Sequence, residues 1–432
     1  MIPDAEPPAL DLNRLAPETF PGVRVVPILH ERVDLAPVVA AALETALEAG
    51  RPAAVAVELP PTLAAAVDRA IERLPEISLV LSEERGEEAL VWVVTPGDPL
   101  AEALRWAREH GCRRELIDPD LRYSERHPDP LPDPYALWSL GPEAFLEKLV
   151  AAGARWPASA EDELREGGMA HALRQLRRQL DEAGDPGPIL AFVGASHVAR
   201  LRQRLLGETA QPLARQRRSE VLLRHLHPDS LSGLMRDPPL AHAVWELLRK
   251  GASSVSTPTA EGEAEKPDLG ATVARRVSVI HHGLRLITGE KDDSRQRRRR
   301  AIPEVAARQA SRRLAGRPAL DRGALGGSVW QMAVANYREQ TQEEIAPWQR
   351  RLFFDFCRRY VRVQGRLAAG LYEWTVAARG VADDNLAWEV FDIARTYPWQ
   401  EELSDLATAK LDGSDLDLGT RTVRFRRRFF RT

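Results

Sequence analysis

At 432 residues the chain is long enough for two or three domains, each burying its own core. With two cysteines, Cys112 and Cys357, it has no disulfide framework; its acidic, proline-rich start MIPDAEPPALDLN is unlike a signal peptide, and no run reaches the ~18 apolar residues of a membrane span, so a cytoplasmic protein is expected. The formal net charge of −3 hides an asymmetry, since residues 270–432 carry 30 basic and 20 acidic side chains against 30 and 43 in residues 1–269, a balance that would suit an acidic partner for the second half.

From residue 22 the pattern alternates short apolar runs with longer helical periods. VRVVPIL (23–29) reads as a strand and LAPVVAAALETALEAG (35–50) as an alanine-rich helix ended by glycine. AAVAVEL (53–59) is a second buried strand, followed by the helix PPTLAAAVDRAIERL. ISLVLS and ALVWVV are further strand candidates, PLAEALRWAREHG is a helix closed by Gly111, and RELID (114–118) is a short strand. After the helical stretch EDELREGGMAHALRQLRRQLDEAG comes PILAFVG (188–194), then a helix starting near His197. Strands apolar on both faces and alternating with helices predict an α/β domain with a mostly parallel sheet covered by helices.

Beyond about residue 208 the character changes. QPLARQRRSEVLLRHLHPDS and PPLAHAVWELLRKG read as helices, and ASSVSTPTAEGEAEKPDLG (252–270) as a polar linker. ATVARRVSVIHHGLRLIT fits helix or a helix–strand mixture, and GEKDDSRQRRRR reads as an exposed loop. Residues 328–379 are strongly helical, with Trp330, Tyr337, Phe353, Phe356, Tyr360 and Trp374 spaced as a core stripe, and the tail RTVRFRRRFF has the composition of a strand. The expected organisation is a tail (1–21), an α/β domain with trailing helices (22–250), a linker (251–270) and a mostly helical C-terminal region (271–432).

Ligands of parallel sheets sit in the crevice at the C-terminal ends of the strands. One predicted strand ends at His30, the next at Glu58, a later one at Asp118, and the last runs through Gly194 to His197. One geometric rule therefore places two histidines and two carboxylates on one rim. Such a set can ligate zinc or manganese, or can activate water directly. Other chemistry has little support. There is no GxxxxGK[ST], GxGxxG after a strand, HExxH or CxxC, and Ser196 beside His197 is not a triad. HLH (225–227) and HH (281–282) lie away from the predicted rim. With 55 arginines and 5 lysines in the chain, Arg297–Arg300 and the tail from Arg424 to Arg431 follow from composition, and nucleic-acid binding is not expected.

A strand ending in histidine, a helix, a strand ending in glutamate and a late strand running into GASH resemble the superfamily that joins TraB/PrgY, Tiki, ChaN and erythromycin esterase proteins. The resemblance spans residues 22–208. It makes His30 the first histidine, Glu58 the glutamate, and Gly194 and His197 the final motif; LIDPDLRY resembles the middle segment, with Asp118 and Asp120 as candidates. The chain departs from the pattern at Pro27, where a glycine is usual, and at Pro119, where an arginine is usual and Arg122 is the nearest substitute. Tiki-like members are metal-dependent peptidases, erythromycin esterases hydrolyse a lactone, and ChaN binds haem. The resemblance implies a hydrolase of peptide or ester bonds, with His30, Glu58 and His197 holding a metal or activating water and Asp118 as an orienting carboxylate. Its alternative is a non-catalytic adaptor in a bacterial conflict system, binding protein partners through the helical C-terminal region.

Overall fold

The computed structural model describes residues 9–83, 88–121, 131–207, 210, 220–251 and 291–427. The chain divides into two compact units, the first built from residues 1–236, 314–316 and 400–432, the second from 237–313 and 317–399.

The first unit holds an α/β sheet of five strands in the order β1-β2-β7-β3-β6. Strands β2 (Val23–Ile28), β7 (Ile189–Gly194), β3 (Ala54–Val57) and β6 (Arg113–Leu116) are parallel, and β1 (Glu18–Phe20) is an antiparallel edge, so the sheet is mixed. The segment expected as a tail thus supplies a strand, and a short helix before it, Leu12–Leu15, capped by Asp11. Strands β2, β3 and β7 are buried almost throughout because helices cover both faces. On one face Val23, Val25, Ala54, Ala56, Ile189, Ala191 and Val193 pack against Met169, Leu173 and Leu176 of helix Ala160–Glu182 and Val198 and Leu201 of helix Ala195–Leu206. Helices Ala36–Ala49 and Pro99–Glu109 pack on each other, the latter also against β3.

ISLVLS and ALVWVV do not join this sheet. They form an antiparallel hairpin, β4 (Ser78–Glu83) and β5 (Glu88–Val94), in a closed barrel ordered β11-β12-β13-β5-β4-β8. The stretch read as helix before His227 contains β8 (Val221–Leu226), whose backbone pairs with β4; residues 211–219 of that stretch lie outside the described residues. The other three strands come from the C-terminus: β11 (Thr408–Asp412), β12 (Asp415–Asp417) and β13 (Thr422–Arg427). β11 runs parallel to β8 and β13 parallel to β5. Residues 400–432 therefore belong with the first unit, not with the helical region expected over 271–432. Closing the barrel leaves no open edge on β5 or β8. Gln400 fastens the returning chain: its Oε1 accepts from Ile77 N at 2.8 Å, and its Nε2 donates to Ile77 O at 2.9 Å and Leu226 O at 2.6 Å.

The second unit is mostly helical, with helices Pro239–Gly251, Lys291–Ala310, Arg322–Thr341, Pro347–Val363, Leu371–Val381 and Asp384–Ala394. A short ribbon, β9 (Ser311–Leu314) with β10 (Arg317–Leu320), interrupts them. From Lys291 the stretch read as a loop is helical, as a run of arginines permits. Gly251, expected to open the linker, instead ends helix Pro239–Gly251, and the rest of the expected linker and HH (281–282) lie outside the described residues. Trp330, Tyr337, Phe353 and Trp374 are core, with the Trp330 and Phe353 rings 4.4 Å apart. Phe356 is exposed and Tyr360 only half-buried, so the aromatic stripe is not core along its whole length. Among the described residues no helix is long and apolar enough to cross a membrane.

A candidate active site at the edge of the α/β sheet

Register brings the predicted residues to one edge. Ile28 of β2 lies opposite Gly194 at the end of β7, and Val57 of β3 opposite Phe192 and Leu116. His30, Glu58, Asp118 and His197 follow within one to three residues of those ends. His30 Nε2 lies 3.4 Å from Glu58 Oε2, and His197 Nε2 lies 3.7 Å from Glu58 Oε1. Gly194 donates its backbone N–H to Glu58 Oε2 at 2.6 Å. A Cβ at position 194 would stand 2.7 Å from His30 Nε2 and 3.1 Å from Glu58 Oε2, so only glycine lets the three approach this closely.

Asp118 joins through an arginine. Arg165 gives Asp118 two bonds, Nε to Oδ1 and NH2 to Oδ2, both 2.9 Å, and NH2 also reaches Glu58 Oε1 at 2.6 Å. Its remaining terminal nitrogen, NH1, donates to His197 Nε2 at 3.3 Å. Arg165 lies in the second turn of helix Ala160–Glu182, whose start is set by a capping box of Ser159 and Asp162. Gly168 of that helix sits against Pro119, where a Cβ would meet Pro119 Cγ at 2.7 Å, so the glycine allows the approach that carries Arg165 to Asp118. Arg122, the substitute suggested by the sequence, lies outside the described residues. Asp120 is held by Thr62 Oγ1 at 2.5 Å.

Further support surrounds the histidines. His197 Nδ1 donates to the buried Glu166 at 3.0 Å, and Arg200 Nε bonds both oxygens of Glu166 at 2.8 and 3.0 Å. With Nδ1 donating, Nε2 of His197 is the acceptor for Arg165. Next to His30, Glu31 is buried with φ +57°, a left-handed backbone that costs about 1–3 kcal/mol in a non-glycine residue and collects at functional sites. Its N–H is held by Asp98 Oδ2 at 3.2 Å. Asp98 also caps helix Pro99–Glu109 through Leu100 N and Ala101 N, and Trp92 Nε1 lies 3.5 Å from Oδ2.

The buried carboxyls of Glu58 and Asp98 are shifted in opposite directions. Burial alone would raise Glu58, but its charge interactions with His197, His30 and Arg165 and its hydrogen bond with His30 outweigh it and hold the carboxyl well below the usual range. Burial raises Asp98, and its N–H partners and His30 offset this only in part. Glu58 is thus a fixed anion between two histidines.

Arg165, Glu166, Arg200 and Asp98 were not among the sequence candidates. The run REGG held a signal, because two glycines inside a helix are unfavourable unless something must come close. HLH (225–227) is a separate feature: His225 is buried in the barrel, its Nε2 2.7 Å from Glu401 O. Among the described residues no group of three or more His, Cys, Asp or Glu side chains is arranged to hold a metal ion. A cavity of about 850 Å³, lined by Arg24, Arg51 and Asp185 among others, lies at the opposite edge of the sheet and involves none of these groups. In comparisons with family models, curated proteins and solved structures, the chain matches none.

Proposed function

We propose that the protein is a hydrolase of ester or peptide bonds, acting at the cluster formed by His30, Glu58, Arg165 and His197. The observation that carries this reading is the anionic Glu58 flanked by two histidines, at 3.4 and 3.7 Å, on the rim where α/β sheets bind ligands. His30 is the most open of the group, its side chain 14% exposed against 8% for His197 and 2% for Glu58, so it is the residue that meets substrate water. In this reading His30 takes a proton from water as that water attacks the carbonyl carbon. Glu58 then faces an imidazolium and stabilises it, and as the bond from the carbonyl carbon to the leaving alcohol or amine breaks, the imidazolium returns the proton to that group. Arg165, through NH1, supplies positive charge to the oxygen on which negative charge develops. Glu166 and Arg200 hold the His197 ring, and Asp118 holds the guanidinium.

A divalent zinc or manganese ion fits these residues poorly. One Glu58 oxygen is bonded to Arg165 and the other to Gly194, and the guanidinium lies 3.3 Å from the His197 nitrogen a metal would need. A cation on Glu58 and His197 would face a fixed positive charge in a buried setting. The chain's own arginine supplies the charge instead.

The same pairing supports a second reading. Arg165 satisfies both carboxylates internally, as a purely structural network does, and a chain retaining the fold for that purpose would be the non-catalytic adaptor. The deciding experiment measures hydrolysis of p-nitrophenyl esters, a lactone and internally quenched peptides by the purified chain, with and without chelator. Turnover unchanged by chelator supports direct water activation. Turnover abolished by chelator and restored by zinc or manganese would reverse the assignment of Arg165. Absence of turnover on all three substrate classes favours the adaptor.

A further inference from the structure

Helix Pro347–Val363 of the second unit buries one face through Phe353, Cys357 and Val361. Its outer face carries Trp348, Leu352, Phe356 and Tyr360 at four-residue steps, a stripe that follows the helix for about 18 Å. Trp348 is 56% exposed, Leu352 47% and Phe356 37%. Phe356 stacks on Tyr360 with ring centres 5.6 Å apart, and Tyr360 lies 6.2 Å from Tyr372 of helix Leu371–Val381, itself 61% exposed. An apolar row of this kind is preformed, because the core face already fixes the helix and ring contacts fix the side chains.

A second row runs beside it. It is the row of Arg351, Asp355 and Arg359, whose two arginines are exposed; Arg358 and Arg362, also exposed, form the next row round the helix, and Arg358 pairs with Asp355. The strip is therefore bounded by arginines on one side and by Tyr372 on the other. Tryptophan, tyrosine and arginine are also the residues that dominate protein–protein binding energy. A straight apolar row of helical length with one basic border complements a second helix that carries an apolar row with one acidic border.

We propose that this strip docks an acidic amphipathic helix of a protein partner. The proposal uses residues apart from the candidate active site, and its test reads binding rather than turnover, so either can fail alone. The probe is a fluorescent helical peptide with leucines at four- and three-residue steps and glutamates along one adjoining row, titrated with the full chain. A version with lysines replacing the glutamates is the control. The acidic peptide should bind at least about tenfold more tightly than the basic one and weaken with salt. Trp348→Ala with Phe356→Ala, both exposed, should reduce that binding at least about tenfold while leaving the melting curve in place. Arg351→Glu with Arg359→Glu should turn the preference toward the basic peptide. Equal or absent binding of the two peptides overturns the proposal. So does stripe-dependent capture by phosphatidylserine vesicles in place of the peptide, or stripe-dependent self-association in sedimentation.

Discussion

Arg165 and Glu58 come from a helix and a strand end 107 positions apart, and their side chains meet at 2.6 Å inside the protein. The same guanidinium clamps Asp118 with two bonds, so one positive charge balances two buried carboxylates. Removing it strands both. Arg165→Ala should cost about 3–5 kcal/mol in urea denaturation, as expected when one partner of a buried ion pair is lost. Arg165→Lys should recover part of this, since it keeps the charge but not the fork that spans Asp118. A loss below about 1 kcal/mol for the alanine variant would mean that the pairing is exposed to solvent.

Glu58 also makes stability depend on pH with a definite sign. Its folded carboxyl lies well below its ordinary value of 4.5, so between those two values the unfolded chain binds more protons. The stabilisation is complete above about pH 4.5 and fades as pH falls through the folded value. Glu58→Gln should cost roughly 1–3 kcal/mol at neutral pH, and the gap to the natural protein should narrow on acidification below pH 4.5. Parallel acid limbs for the two proteins would contradict the assignment of Glu58 as an anion held by His197, His30 and Arg165.

Adjacent glycines in one helix give a sharp contrast. Nothing lies within 4 Å of a Cβ placed at Gly167, while one at Gly168 would press on Pro119 at 2.7 Å. Gly167→Ala should stabilise by about 0.5–1 kcal/mol. Gly168→Ala should destabilise by about 1–3 kcal/mol through overpacking and should weaken the reach of Arg165 to Asp118. Thermal denaturation of the two variants side by side checks this.

Much of the candidate site was legible because strand ends are local features. His30, Glu58, Asp118 and His197 each follow an apolar run, and parallel register alone brings those ends to one edge. Arg165 was not legible, since a charged residue on a long polar helix reads as a solvated face until tertiary packing turns it inward. The barrel was hidden for another reason. β5 finds its parallel partner β13 more than 300 residues later, and β8 finds β11 almost 200 residues later. Composition marked 421–430 as a strand but held no trace of the pairing. The leucine-rich β8 likewise has a helix former's composition, and its pairing with β4 and β11 overrides it.

The most direct test of the central claim compares the natural chain with His30→Ala, following hydrolysis of the ester or peptide substrate that gives the highest turnover, alongside thermal melting of both. A general base contributes about 10²–10⁴-fold, so His30→Ala should lose at least about a hundredfold in kcat/KM. The melting curve should hardly move, because the His30 side chain is partly open and fills little of the core. Unchanged turnover in His30→Ala, together with a marked loss of stability, would contradict the account and leave His30 as a structural residue.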